Sequence, residues 1–451
     1  MRRLPLKDQI LFAVGGLGEN VTFQAVTAWL FFFWSGQGES DKALLPLGLL
    51  GILLGIGRFI EAFDDPLIGH LSDRTNSRFG RRFPYIFFGA PLLALSFFFL
   101  WVPAEGTVVF RAIYFFLALQ FFFFAYTLVS APYEGILPEI AKTSSDRVST
   151  SAWRVLFGVI GAALGLVGSS LLIERFGFVA MGVVLGITAL IAFWIAIFGI
   201  RKRLINNETI EQFNNDSYRS IRQAQDRQAR TINLKTALLS TLKNDQFLVF
   251  SLGLILFSLA QNLLTALLPF YVKVILGKPE GWVALFTGLL LLSMLIALPI
   301  QTMLARKWSK KRLYGGSMLA LALLFPLVAF VGFFPFGDTF WQLIVLVILV
   351  GLPFSGQFVF PNAILADVID YDETKTGLRR EAIYYGMQNT LQKFSFALAS
   401  IIFGVTLATF GSTVDNPLGI RLIGPIAGGA TVLGFFIFVT KYTLPDQVKK
   451  R

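Results

Sequence analysis

The chain has 451 residues, 55% of them hydrophobic and only 15% charged, with 48 Phe and no Cys, against about 25% charged residues in a soluble domain. A mean hydropathy of +0.67 excludes a disordered chain and an ordinary water-soluble enzyme, because one soluble core cannot bury so much apolar surface; the lack of Cys and a single His (His70) exclude a disulfide scaffold, thiolate sites and most zinc chemistry. The net charge of +12 would fit a nucleic-acid surface in a soluble protein, so its meaning depends on where the basic residues fall.

Apolar runs near the ~20 residues that span a bilayer are predicted at 9–34, 45–72, 83–103, 107–131, 150–172, 178–200, 246–273, 281–304, 313–335, 339–366, 382–409 and 419–441. The first carries Glu19 and Asn20 at its centre and is too long for a signal-peptide core. It therefore reads as a retained helix. The second holds Arg58, Glu61, Asp64 and Asp65, which share an arc of roughly 120° at helical spacing. Charges at a helix centre cost about 2.5–3.5 kcal/mol each in a membrane, so these acids must face a polar cavity, a cation or one another. Clustered carboxylates suit a hard cation such as Na⁺, or a proton that relieves their repulsion. The competing reading is an internal salt bridge, with Arg58 neutralising Glu61 and Asp65 anchoring the loop.

A faint repeat follows the second and eighth spans: Asp73-Arg74 with Gly80-Arg81-Arg82, then Arg306-Lys307 with Lys310-Lys311-Arg312. In the fifth span Gly161, Gly165 and Gly168 read as close-packing positions. The polar segment 201–245 divides the spans six and six and reads as a solvated linker; its alternative is a lipid-surface helix that turns Arg219, Arg222, Arg227 and Arg230 to anionic headgroups. In the eleventh span Lys393 lies too deep to snorkel and is expected to pair with the acids of the second.

With the amino terminus in the cytoplasm, 30 of the 39 Lys and Arg fall in segments on that side and 5 on the other. This bias puts both termini in the cytoplasm and makes the +12 a matter of topology. The expectation is an all-α, multi-pass protein of the plasma membrane, of bacterial inner-membrane type, with the lipid bilayer and no nucleic acid as partner. Two six-helix halves, 1–200 and 246–451, joined by 201–245 form the major-facilitator plan: 12 transmembrane helices in two pseudo-symmetric bundles, with a small-molecule solute bound between them.

Asp65-Pro66-Leu67-Ile68-Gly69, Asp73-Arg74-Thr75, Gly80-Arg81-Arg82-Phe83-Pro84, Pro132-Tyr133, Leu137-Pro138-Glu139, Arg147, Ala366-Asp367-Val368-Ile369-Asp370-Tyr371, Tyr384-Tyr385 and Lys393 occur in this order along the chain. In these it resembles the glycoside–pentoside–hexuronide:cation symporter family over essentially its whole length. The resemblance implies symport of a sugar or glycoside coupled to Na⁺ or H⁺ by alternating access, in a monomer that is not an enzyme and needs no cofactor beyond the coupling ion. It places the family's cation site on Glu61 and Asp65, the Na⁺ ligands of a sodium-coupled carrier, with Asp64 as an extra acid, Thr127 on the fourth span, and Lys393. The family's sugar-binding carboxylates fall on Asn20 and Ser130, an indole position on Glu134, and an arginine of the fifth span on Arg154; Lys393 borders this site too. Since Asn20 and Ser130 are not carboxylates, a galactoside is not the expected solute. Another glycoside, a uronide or an amphipath such as a lysolipid stays open, as does a non-transporting sensor on the same fold. Asp73, Arg74, Arg81 and Arg82 are expected to form inner-gate ion pairs with Asp367, Asp370, Glu373, Arg379 and Arg380.

Overall fold

The computed structural model describes residues 4–37, 44–75, 77, 81–141, 143–213, 241, 243–377 and 381–444, side chains excepted at 63, 65, 66, 70, 73, 74, 144, 202–213 and 382. Among these residues every regular element is a helix. The chain divides into two compact units, Met1–Pro46 with Ile56–Thr231, and Leu47–Gly55 with Ile232–Arg451. The first holds α1 (Leu6–Ala13), α2 (Gly15–Trp34), most of α3 (Leu47–Arg74), α4 (Phe83–Phe99), α5 (Val108–Ile140), α6 (Ser144–Ala163) and α7 (Ser169–Phe213). The second holds α8 (Asp245–Phe270), α9 (Trp282–Leu304), α10 (Lys310–Leu324), α11 (Thr339–Phe354), α12 (Gly356–Thr376), α13 (Glu381–Phe410) and α14 (Leu418–Lys441).

Each of the twelve apolar runs is helical over most of its length, and eight helical stretches among the described residues are by themselves long and apolar enough to cross a membrane. Neither α2 nor α3 is among the eight. Glu19, Asn20 and Gln24 dilute the apolarity of α2, and Arg58, Glu61 and Asp64 that of α3. These two helices carry Glu19, Arg58 and Glu61, all buried.

Side-chain caps fix several helix starts. Thr107, Thr143, Ser309 and Asp338 accept the N–H of Phe110, Asp146, Arg312 and Trp341, and Asn244 accepts two, from Gln246 and Phe247; such a cap contributes about 1 kcal/mol. The turn between the fifth and sixth spans is made at Gly177, with φ 81° and ψ 174°. That region is essentially closed to residues with a Cβ. Gly177→Ala is accordingly expected to destabilise the protein by about 1–3 kcal/mol, read as a lower thermal unfolding midpoint in detergent.

Three helices outrun their apolar runs: α5 reaches Ile140, α7 Phe213 and α12 Thr376, against expected ends at 131, 200 and 366. Apolarity marks where lipid ends, whereas a helix continues while its residues favour it, and Glu, Arg, Lys and Gln are good helix formers in water. The first and tenth runs are each split, at Val14 and at Ser355.

The first unit is drawn together along α2 and α6. A Cβ at Gly161 would lie 2.5 Å from the Leu17 carbonyl oxygen, one at Gly165 2.5 Å from that of Val21, and one at Gly16 2.8 Å from that of Arg154. The two helices thus meet backbone to backbone, as small residues allow in membranes. Gly168, expected to share this role, has only Leu164 of its own turn within reach, because a π-turn over Leu164–Gly168 rotates it off the seam. Just beyond, the Trp29 indole donates to Ser169 Oγ at 2.9 Å. In the second unit Arg421 donates to the carbonyls of Ala329 and Val331 and covers the Phe333 ring, closing the turn that follows α10.

Candidate functional site

One helical turn brings Arg58 and Glu61 together on α3. Arg58 Nη1 donates to Glu61 Oε2 at 2.6 Å, with both side chains 1% exposed. The guanidinium lies between two rings, 4.6 Å from the centroid of Phe23 on α2 and 4.2 Å from that of Phe123 on α5. The Arg58–Glu61 ion pair of the salt-bridge reading is thus formed. A buried pair is favourable only when close and well surrounded, and the aromatic faces supply that surrounding. Asp64 is half-buried three residues on, and Thr127 is fully buried on α5. The side chain of Asp65 lies outside the described residues. Carboxylate and hydroxyl oxygens of this kind fit a proton or a hard cation; among the described residues no three His, Cys, Asp or Glu gather as a metal site.

A second cluster joins α2, α5 and α6. Arg154 Nη2 donates to Glu19 Oε1 and Oε2 at 3.1 and 3.0 Å and to Glu134 Oε1 at 2.8 Å, with the guanidinium over the Tyr133 ring. The spacing of Arg154, Gly158, Gly161 and Gly165 places all four on one face of the helix. The glycine seam that presses α6 onto α2 therefore also lowers Arg154 onto Glu19. Tyr133 stacks on Phe12 and donates to its carbonyl at 2.8 Å, while a Cβ at Gly15 would fall 2.4 Å from the Tyr133 ring. Only glycine there lets α5 close over the α1–α2 joint.

Of the residues expected around the solute, Arg154 and Glu134 come together here. Asn20 donates to the Gly16 carbonyl of its own helix at 2.9 Å, Ser130 is buried on α5, and Lys393 is half-buried on α13. Glu19 is the member of this cluster that sequence reasoning left without a role. Its signal was present, since an acid at the centre of a span requires a partner. Tyr126 stands between the clusters: its ring lies 5.5 Å from that of Phe23, and it is within electrostatic reach of Glu19, Glu61, Glu134 and Arg58.

The expected gate residues are engaged as follows. Arg81 and Arg82 reach Glu139 Oε1 at 2.9 and 3.1 Å, and Arg82 also donates to the Gly135 carbonyl. Lys310 pairs with Asp367 and donates to the Ala363 carbonyl at 3.5 Å. In each unit a basic residue meets a carbonyl and, four residues on, a carboxylate. The contacted strings, Gly135-Ile136-Leu137-Pro138-Glu139 and Ala363-Ile364-Leu365-Ala366-Asp367, are themselves a repeat. Glu139 and Lys310 are partners the sequence reading did not assign. Asp370 is half-buried on α12; the side chains of Asp73 and Arg74, and residues Arg379 and Arg380, lie outside the described residues.

Comparison with known proteins places this geometry in a family. The family described as MFS/sugar transport protein matches residues 11–444. A protein of Synechocystis sp. named an uncharacterized symporter is 26% identical, with 92% of this chain and 88% of that one covered. The lactose permease of Leuconostoc lactis is 24% identical over 92% of this chain and 65% of its own. Among solved structures, the nucleoside transporter NupG matches with a TM-score of 0.69 at 16% identity, covering 98% of this chain and 100% of that one, which is a likeness of fold.

Proposed function

The chain belongs to the MFS/sugar transport protein family and is a multi-pass membrane transporter of the major facilitator superfamily, and we propose that it carries a sugar or glycoside by symport with Na⁺ or H⁺. The observation that supports this most is the pairing of two charged clusters in one unit. Arg58–Glu61 and Glu19–Arg154–Glu134 are separated by the Phe23–Tyr126 aromatic pair.

In this reading the coupling ion binds at Glu61, Asp64, Asp65 and Thr127, with Lys393 as a counter-charge, and competes with Arg58 for the Glu61 carboxylate. Phe23 touches Arg58 on one side and Tyr126 on the other, so a shift of the guanidinium is transmitted toward Arg154. Such coupling is reciprocal and typically ~1–3 kcal/mol. The solute binds at Glu134 and Arg154, flanked by Asn20, Ser130 and Lys393, and Glu19 holds Arg154 in place. Residues 1–200 and 246–451 form the two bundles that rock in alternating access, joined by 201–245, with both termini in the cytoplasm. The ion pairs of Arg81 and Arg82 and of Asp367, together with Asp73, Arg74, Asp370, Arg379 and Arg380, gate the inner side. The carrier works as a monomer, without nucleic acid or any cofactor beyond the ion.

The test is uptake into proteoliposomes under imposed Na⁺ or H⁺ gradients. Glu61→Gln and Asp65→Asn are each expected to lower gradient-driven accumulation at least about tenfold, a loss of the ~1–3 kcal/mol of coupling. Accumulation at the wild-type level in both variants would place the ion elsewhere. Transport of lysophosphatidylcholine with no glycoside carried would overturn the sugar reading.

A further inference from the structure

Arg154 stands where an arginine would receive an anionic solute, yet it is already engaged. A single nitrogen, Nη2, makes all three of its ion-pair contacts, two to Glu19 and one to Glu134 Oε1. Among the described residues Arg154 Nη1 and Nε have no hydrogen-bond partner, nor has Glu134 Oε2. These atoms belong to partly open side chains: that of Arg154 is 23% exposed and that of Glu134 54%, against 10% for Glu19. Glu19 is thus the buried anchor and Glu134 the accessible member.

The charge and the hydrogen-bonding pattern point the same way. With Glu19 and Glu134 both ionised, two carboxylates face one guanidinium and the cluster carries one excess negative charge, and the nearby Arg58–Glu61 pair is neutral in sum. The accessible edge offers N–H donors from Arg154 beside an acceptor oxygen of Glu134. A hydroxyl is both donor and acceptor, so a vicinal diol satisfies both sides of that edge. A carboxylate or sulfonate brings acceptors only and would lie against Glu134 and Glu19. An ammonium brings donors only and would lie against the Arg154 N–H groups.

We propose that Glu19 and Glu134 are specificity residues: by holding Arg154 between them they remove it as an anion receptor and make the site one for uncharged, hydroxyl-bearing sugars, so that hexuronides and other anionic sugars are excluded. This rests on the sugar-symport reading above. Rejection here comes from like charges brought together, a device that discriminates between ligands of similar shape. Glu19 is a positioning residue, acting through Arg154, while Glu134 would touch the solute.

The experiment uses the full chain in proteoliposomes and matched probes: 4-nitrophenyl glucoside and galactoside, each with its uronide, and lysophosphatidylcholine as a non-sugar arm. Initial uptake rates are measured under Na⁺ and H⁺ gradients. The neutral member of a pair is expected to be carried at least about tenfold faster than its uronide, as like-charge contact implies. Glu134→Gln keeps an acceptor but removes the charge, and is expected to narrow that ratio about tenfold by raising uronide uptake, whereas Glu134→Asp keeps it. Glu19→Gln should narrow it too; if that buried substitution does not fold, Glu134→Gln decides alone. Equal wild-type rates for sugar and uronide overturn the proposal while leaving sugar symport standing. So does a Glu134→Gln variant that slows both probes and leaves their ratio unchanged. Transport of lysophosphatidylcholine with no glycoside carried overturns the sugar reading and this inference with it.

Discussion

Arg58→Met is expected to destabilise the protein by about 3–5 kcal/mol, the usual consequence of removing one partner from a buried ion pair. Glu61 would be left without its counter-charge, with 1% of its side chain exposed, on a helix already too polar to read as an ordinary span. Met fills a similar volume and packs well against rings, so loss of contact between Phe23 and Phe123 is not the main effect. The uncompensated carboxylate is. Two further variants separate the contributions. Arg58→Lys keeps the charge but replaces a planar group, held 4.6 and 4.2 Å from two ring centroids, with a strongly hydrated ammonium; it should fall between wild type and Arg58→Met. The double variant Arg58→Met with Glu61→Met removes both charges, and apolar replacement of a buried pair is often neutral or stabilising. Its thermal unfolding midpoint in detergent should therefore return to the wild-type value or above, while gradient-driven uptake stays absent. Recovery of stability without recovery of coupling would assign the pair to ion exchange and not to folding. A double variant as unstable as the single one would show that the aromatic clamp, not the charge balance, dominates.

The fold was legible because lipid imposes a simple rule: a span must be long, apolar and helical, and eight helical stretches among the described residues obey it outright. What the rule cannot see is a helix that continues into water, which is why α5 and α12 were ended short of Glu139 and Asp367. The candidate site was legible only in part for a related reason. Arg58 and Glu61 are three residues apart and their pairing follows from helical spacing, so both readings of that cluster were available. Arg154 and Glu19 are 135 residues apart, and their contact depends on how closely α6 approaches α2. That approach is set by Gly16, Gly161 and Gly165, positions whose meaning is the absence of a side chain. Tyr126 and Phe23 were likewise two aromatic residues among many, and only their placement between charged groups distinguishes them from the packing around them.

Gly161→Val follows from that seam and is expected to damage the solute site more than the fold. The new Cβ would lie 2.5 Å from the Leu17 carbonyl oxygen, 2.8 Å from its Cα and 3.0 Å from its carbonyl carbon. All three are backbone atoms, so no rotamer change relieves the overlap. To restore an ordinary van der Waals contact of 3.4–4 Å, α6 must move from α2 by roughly 1 Å, an overpacking strain of about 1–3 kcal/mol. Leu17 is two residues from Glu19, and Arg154 lies on the same face of α6 as Gly161, so the separation falls directly on contacts of 2.8–3.1 Å. Hydrogen bonds stretched by that amount are largely lost, and a misplacement of about 1 Å in a binding constellation can cost on the order of a hundredfold. The expected result is a lowered unfolding midpoint in detergent together with a disproportionate rise in the KM for solute uptake. Gly168→Ala is the control on the same stretch: its Cβ would meet only Leu164 at 3.7 Å, and both measurements should stay near wild type. If Gly161→Val lowered stability but left KM unchanged, the seam would be holding the bundle without positioning Arg154, and the solute contacts assigned to Glu134 and Arg154 would have to lie elsewhere.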